Sequence, residues 1–244
     1  MADDLTHDAF LGGRVHIWQP AKGYRAGTDP VMLAASIAAK PGQTLLELGC
    51  GVGTAALCLH TRVPGLTLVG VEVQQDYAAL AERNVTEAGA DMRIVHADLR
   101  ALPGDIRQMR FDHVMMNPPY FDRTKGHPSD HTQRDIALGG DTPLADWLDI
   151  GIKRVGPKGY LTIIQKIDRM PEVLAALEGR LGSLIVRGIA PRPDAPANLF
   201  LLQARQEGRA PFALCPPLIM HGPDGYSPKV EAVLRDGAAL SMRR

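Results

Sequence analysis

Thr44-Leu45-Leu46-Glu47-Leu48-Gly49-Cys50-Gly51-Val52-Gly53 is a short, nearly all-apolar run that opens into three glycines separated by single residues. An apolar run of this length fits a parallel strand covered on both faces, and glycines directly after it fit a turn where the backbone can approach a ligand closely. Thr54-Ala55-Ala56-Leu57-Cys58-Leu59-His60 then resumes as helix, so the unit reads strand, turn, helix.

The same rhythm continues downstream. Leu66-Thr67-Leu68-Val69-Gly70-Val71 is a second buried strand ending on Glu72, a helix covers 75–88, and Met92-Arg93-Ile94-Val95-His96 is a third strand ending on Asp98. Phe111-Asp112-His113-Val114-Met115-Met116 is a fourth and delivers Asn117-Pro118-Pro119-Tyr120. Further on, residues 121–140 read as a long polar loop rich in charge and histidine, and 141–155 as a helix capped by Asp141 or Thr142. Gly156-Pro157-Lys158-Gly159 reads as a turn, 160–165 as a fifth strand and 170–181 as a helix. Residues 184–189 and 198–204 read as two final strands, an antiparallel pair, and 228–234 as a closing helix. Upstream, 1–13 reads as a disordered or loosely packed leader and 15–20 as a short strand. A helix over 31–39 has Thr28 or Asp29 as N-cap and Pro30 at its first position.

Strands alternating with helices define an α/β fold: a mostly parallel seven-stranded sheet with helices on both faces and an antiparallel last strand. Ligands of such sheets bind beyond the carboxyl ends of the strands, where the glycine turn, Glu72, Asp98 and Asn117 all fall. A chain of 244 residues, 45% hydrophobic and 22% charged, fits a single domain over 1–244. Its parts are an N-terminal extension with strand and helix at 1–43, a core at 44–205 and a tail at 206–244. The chain has no apolar run of 18 residues and no signal-peptide layout, so a soluble, cytoplasmic protein without a membrane partner is expected. Cys50, Cys58 and Cys215 have no metal-like spacing, and their odd number argues against a disulfide framework. Net charge is zero; residues 1–120 carry 10 basic against 13 acidic groups, and 121–244 carry 17 against 14. A nucleic-acid partner would therefore have to be held by local patches. Arg123, Lys125 and Arg134, with Arg14, Lys22 and Arg25, are candidates for phosphates or ordinary solvated charges. His127 and His131 flank Pro128 and Ser129, which disfavour a helix, so no metal is expected there. Trp18 and Trp147 read as core or interface anchors.

The spacing Gly49-x-Gly51-x-Gly53 departs from the dinucleotide fingerprint, and the turn holds no basic residue for a pyrophosphate. A cationic, phosphate-free ligand fits better, and S-adenosylmethionine is one. Glu72, 19 positions past Gly53, can accept both ribose hydroxyls, and Asp98 the adenine amino group. Helix caps or solvated strand ends are the structural alternative for both. Asn117-Pro118-Pro119-Tyr120 cannot continue a helix or a central strand, because neither proline has an N–H. The tetrapeptide is a stiff platform offering an amide oxygen, a free carbonyl at Pro118 and an aromatic face. These groups suit two hydrogen bonds from a flat amino group and stacking on its parent ring.

In motif order over roughly residues 15–205 the chain resembles class I, Rossmann-like methyltransferases that carry this tetrapeptide and act on amino groups. The resemblance implies that Glu47, Gly49, Gly51 and Gly53 line the methionine part of the cofactor, with Glu72 at the ribose and Asp98 at the adenine. It further implies that Thr28 and Asp29 close over the methionine moiety, that Asn117, Pro118 and Tyr120 are catalytic, and that Asn117 also binds the cofactor. Three amino substrates compete: adenine in RNA, guanine in ribosomal RNA and a glutamine side chain of a protein. A cofactor-binding RNA-binding protein without activity is the non-enzymatic alternative. The glutamine enzymes carry a helical domain before the cofactor turn, whereas only 43 residues precede the first core strand here. The layout is similar to the valine tRNA (adenine-N6)-methyltransferase family. Tyr24-Arg25-Ala26-Gly27-Thr28-Asp29, Phe121, Arg134-Asp135 and Asp224-Gly225-Tyr226-Ser227 carry that likeness. It implies tRNA as partner, with 121–140 as a lid over a flipped-out base.

Overall fold

Leu45 and its neighbours set the layers of the computed structural model, which describes residues 5–120 and 142–242. Side chains alternate along a strand, so Leu45 enters one buried cluster while Leu46 and Leu48 enter another on the opposite face of the sheet. The strands are β3 (Thr44–Leu48), β4 (Thr67–Glu72), β5 (Met92–His96), β6 (Phe111–Met116), β7 (Val155–Lys166), β8 (Gly182–Ala190), β9 (Leu199–Arg205) and β10 (Ala213–Ile219). Their order across the sheet is β10-β8-β9-β7-β6-β3-β4-β5. All neighbouring pairs are parallel except those that β9 makes with β7 and β8. One face carries α1 (Asp29–Ser36), α2 (Thr54–Arg62) and α7 (Pro228–Asp236). The other carries α4 (Gly104–Gln108), α5 (Leu144–Arg154) and α6 (Met170–Leu177). Between β4 and β5 runs α3 (Gln75–Ala88), which ends at Gly89 in the left-handed region.

The expected α/β class, mostly parallel sheet and antiparallel β9 are present, but the sheet has eight strands instead of seven. β10 comes from the tail and pairs in parallel with β8. Pro216 and Pro217 hide it in the sequence. They are tolerated because β10 lies at the edge, with a register shift between Cys215 and Leu218.

The leader is also more ordered than the sequence suggests. Residues Leu5–Phe10 form β1, which pairs antiparallel with β2 (Val15–Pro20). Its polar composition is deceptive, since Asp8 accepts hydrogen bonds from Thr6, Gln19 and Arg25, each at 2.7 Å. Helix α1 stops at Ser36, short of 39, because Arg62 from α2 donates to the carbonyls of Ala34 and Ile37 at 2.8 and 2.5 Å. The expected turn at 156–159 lies within β7, with Lys158 at φ +60° and a shifted register against β6. Residues 121–140, with the expected lid and its arginines and histidines, lie outside the described residues, as does Asp141. Among the described residues no helix is long and apolar enough to cross a membrane.

Candidate active site

A cavity opens where the carboxyl ends of β3, β4, β5 and β6 meet. It is lined by the glycine turn after β3, Glu72, Asp98 and the tetrapeptide after β6, and walled on the far side by the loop that leads into α1. The turn works because its glycines sit at positive φ. At Gly49, φ is +66°, and a Cβ would lie 2.3 Å from the ring of Trp147, so only glycine fits. Of the residues singled out in the sequence, Asp29, Glu47, Gly49, Gly51, Glu72, Asp98, Asn117, Pro118 and Tyr120 line the cavity. Thr28 and Gly53 stand behind the wall. Thr28 flanks the start of α1 with its hydroxyl 3.3 Å from Asp29, and Gly53, at φ +87°, turns the chain into α2.

The two glutamates are held from behind by backbone. Glu47, 3% exposed, accepts from the Ala56 N–H in the first turn of α2 at 3.1 Å. Glu72, 5% exposed, accepts from Gly51 through one oxygen and from Gln74 through the other, both at 2.9 Å. Burial raises the Glu47 carboxyl to about 8; the Ala56 hydrogen bond opposes this and the nearby Glu72 charge adds to it. Burial also raises Glu72, against the backbone hydrogen bonds of Gln74, Gly51 and Val73. Asp98 is different. It caps the short turn Leu99–Ala101 and pairs with Arg100 at 2.6 Å, and that bond holds its carboxyl below the usual range. The structural reading of Asp98 as a cap thus coexists with its place in the cavity wall.

At the tetrapeptide, the Tyr120 hydroxyl donates to Asp29 at 2.5 Å, joining the motif to the start of α1. Burial and then the Asp29 charge push the Tyr120 phenol well above its ordinary range, so it stays a donor. The Pro118 carbonyl is not free as expected. Gln165 at the end of β7 donates to it at 3.3 Å, leaving one of its two lone pairs.

Sequence reading missed several members of the wall. Tyr24, Thr54, Tyr77 and Trp147 line the cavity. The scarcity of aromatics was the available signal, since three of the five tyrosines converge here. Two buried amides brace the wall, one in the N-terminal hairpin and one on α3. Gln19 accepts from the Ala26 N–H at 2.9 Å, and Asn84 of α3 bonds both Trp18 N–H and C=O and the Val52 carbonyl. Trp18 itself is an anchor, with His7 stacked at 4.2 Å and Arg83 at 3.8 Å from its ring centroid.

Among the described residues the lining holds four carboxylates and no lysine or arginine. Thr54 adds a buried hydroxyl without a partner among the described residues. Such a wall disfavours phosphates and fits a cationic ligand rich in hydroxyl and amino groups. Fold and cavity together define a class I S-adenosylmethionine-dependent methyltransferase. The family model of the methyltransferase small domain matches residues 26–137. The chain is 30% identical over 236 residues to the tRNA1(Val) (adenine(37)-N6)-methyltransferase of Porphyromonas gingivalis, covering 91% of each chain. It is 27% identical to the enzyme of the same name from Parabacteroides distasonis, covering 82% of this chain and 84% of that one. A solved structure from Agrobacterium tumefaciens, described as a predicted O-methyltransferase, superposes with a TM-score of 0.72 at 25% identity, covering 87% of this chain and 98% of that chain. The chain belongs to the tRNA1(Val) (adenine(37)-N6)-methyltransferase family.

Proposed function

We propose that this chain methylates the exocyclic N6 of an adenine in tRNA, at the position 37 that its relatives' names give, with S-adenosylmethionine as donor. The observation that carries this reading is the tetrapeptide Asn117-Pro118-Pro119-Tyr120 at the edge of a cavity walled by carboxylates. Glu47 and the glycine turn would hold the methionine part, Glu72 the ribose and Asp98 the adenine. When bound, the cofactor supplies an electrophilic methyl group on a sulfonium. Asn117 Oδ1 and the remaining lone pair of Pro118 O each accept one N–H of the target. The nitrogen is thereby turned so that its lone pair, otherwise conjugated into the ring, faces the cavity. Such alignment can contribute about 7–11 kcal/mol to the rate. Tyr120 stacks on the base, a contact worth about 1–3 kcal/mol, while its hydroxyl stays on Asp29 and fixes the ring. The methylated nitrogen is strongly acidic before it loses its extra proton, so no buried base is required. Although the Agrobacterium relative is described as an O-methyltransferase, a hydroxyl nucleophile would leave one of the two acceptors unused. The test is incubation of the purified protein with methyl-labelled cofactor and unmodified tRNA, ribosomal RNA or protein, followed by digestion. Label in N6-methyladenosine from tRNA is expected; label only in guanine or in protein glutamine overturns the reading.

Glu47 adds a pH signature. Its carboxyl lies at about 8 in the folded chain against an ordinary 4.5, so its contribution to stability is complete below pH 4.5 and is lost as pH rises through 8. Glu47→Gln is therefore expected to melt higher than the unsubstituted chain above about pH 8, by a few kcal/mol at most, and alike below about pH 4.5. Parallel melting curves at both pH values would remove Glu47 as the cause. A cationic ligand reverses the cost, so cofactor binding at neutral pH releases a proton. Calorimetry in two buffers of different ionisation enthalpy reads that release, and Glu47→Gln lowers it.

A further inference from the structure

Gln165 lies at the end of β7, 0% exposed and opposite Phe200 of β9. A side-chain amide is costly to bury without hydrogen bonds, and an aliphatic residue is the default for such a position. Both ends of this amide are used. Oε1 accepts from the Lys166 N–H at 2.8 Å. A backbone N–H can only donate, so the oxygen must face it and Nε2 must face the other way. There Nε2 donates to the carbonyls of Pro118 and Pro119 at 3.3 and 3.5 Å. The two prolines make this contact consequential. Neither peptide unit entering Pro118 or Pro119 has an N–H, so no ladder bond can fix the orientation of these planes from within the segment.

On the reading that Asn117 and Pro118 receive the target amino group, we propose that Gln165 is a positioning residue for methyl transfer, fixing from the sheet interior the direction of the Pro118 carbonyl. One lone pair of that oxygen points at Gln165 and the other is presented to the cavity. The amide does not touch the substrate. Its action is to hold the second acceptor in register with Asn117, so its loss is felt in kcat and not in cofactor binding.

Gln165→Met keeps the volume and removes the donor. It is expected to lower kcat on tRNA by about 10-fold or more, with KM for the cofactor within about twofold. Gln165→Glu supplies a readout that a purely structural role would not move. A protonated carboxyl donates to the proline carbonyls as the amide does, whereas a carboxylate repels them. The activity of Gln165→Glu relative to the unsubstituted enzyme should therefore rise as pH falls from about 8.5 to about 6, because burial favours the protonated carboxyl. Turnover of Gln165→Met within twofold of the unsubstituted enzyme, or a Gln165→Glu defect independent of pH, overturns the proposal. If Gln165→Met does not fold, the Gln165→Glu profile decides alone. Asn117→Ala is run in parallel. An active Asn117→Ala means the underlying reading of the motif fails, whereas an inactive Asn117→Ala beside a fully active Gln165→Met means only the role of Gln165 fails.

Discussion

Asn117→Ala is expected to lower methyl transfer by about 10²–10³-fold, the cost of losing one preorganised hydrogen-bond partner at a reacting group. The dissociation constant of the cofactor should change by no more than about threefold, because the carboxylates proposed to hold it follow other strands. Asn117 follows β6 directly, and two prolines after it keep its backbone from relaxing. On the proposed reading its side-chain oxygen is one of two acceptors for the target amino group, the other being the Pro118 carbonyl. With alanine, the amino group keeps one anchor and is free to swing in the plane of its ring. Asn117→Asp retains an acceptor and should keep more activity than Asn117→Ala. Single-turnover rates with saturating cofactor make the comparison, since they exclude product release. A rate for Asn117→Ala within about fivefold of the unsubstituted enzyme would remove Asn117 from the reaction.

What the sequence displayed most clearly was the part of the site tied to strand ends. Gly49, Glu72, Asp98 and Asn117 follow four buried strands, and an α/β sheet brings such ends to one crevice whatever the details of packing. The unread part depends on side chains arriving from distant segments. Trp147 reaches the glycine turn from α5, nearly a hundred residues later in the chain, and no local pattern separates it from an ordinary core tryptophan. Gln165 looks like one polar residue at the end of a buried strand; only the register of β7 beside β6 puts its amide under the prolines. Asp8 and Gln19 looked like leader and edge polarity because their satisfaction is mutual. β10 was obscured by two prolines that only an edge strand admits. Asp98 shows the reverse case: its alternative as a cap, set against the functional reading in the sequence, is present, with both oxygens accepting from Arg100, and the same side chain also lines the cavity.

Glu72 carries the second large effect. Its two oxygens already accept backbone N–H groups, Gly51 on one and Gln74 on the other, so the carboxylate is fixed before any ligand arrives. On the proposed reading two ribose hydroxyls donate to this carboxylate without reorganisation, and hydrogen bonds to a charged acceptor are worth about 1.5–3 kcal/mol each. Glu72→Ala removes both and leaves two N–H groups at the cavity wall without partners. Cofactor binding should weaken by about 100-fold or more, while the rate at saturating cofactor falls by less than about threefold. Glu72→Gln should fall between the two, since an amide has a single oxygen and cannot accept at both positions. Removing one ribose hydroxyl from the ligand tests whether the loss arises at the ribose. A 2′-deoxy analogue of S-adenosylhomocysteine should bind the unsubstituted protein about tenfold more weakly than the parent compound, and bind Glu72→Ala equally well with or without the hydroxyl. If the analogue loses the same factor against both proteins, Glu72 does not touch that hydroxyl. Its buried carboxylate would then serve only to brace Gly51 and Gln74.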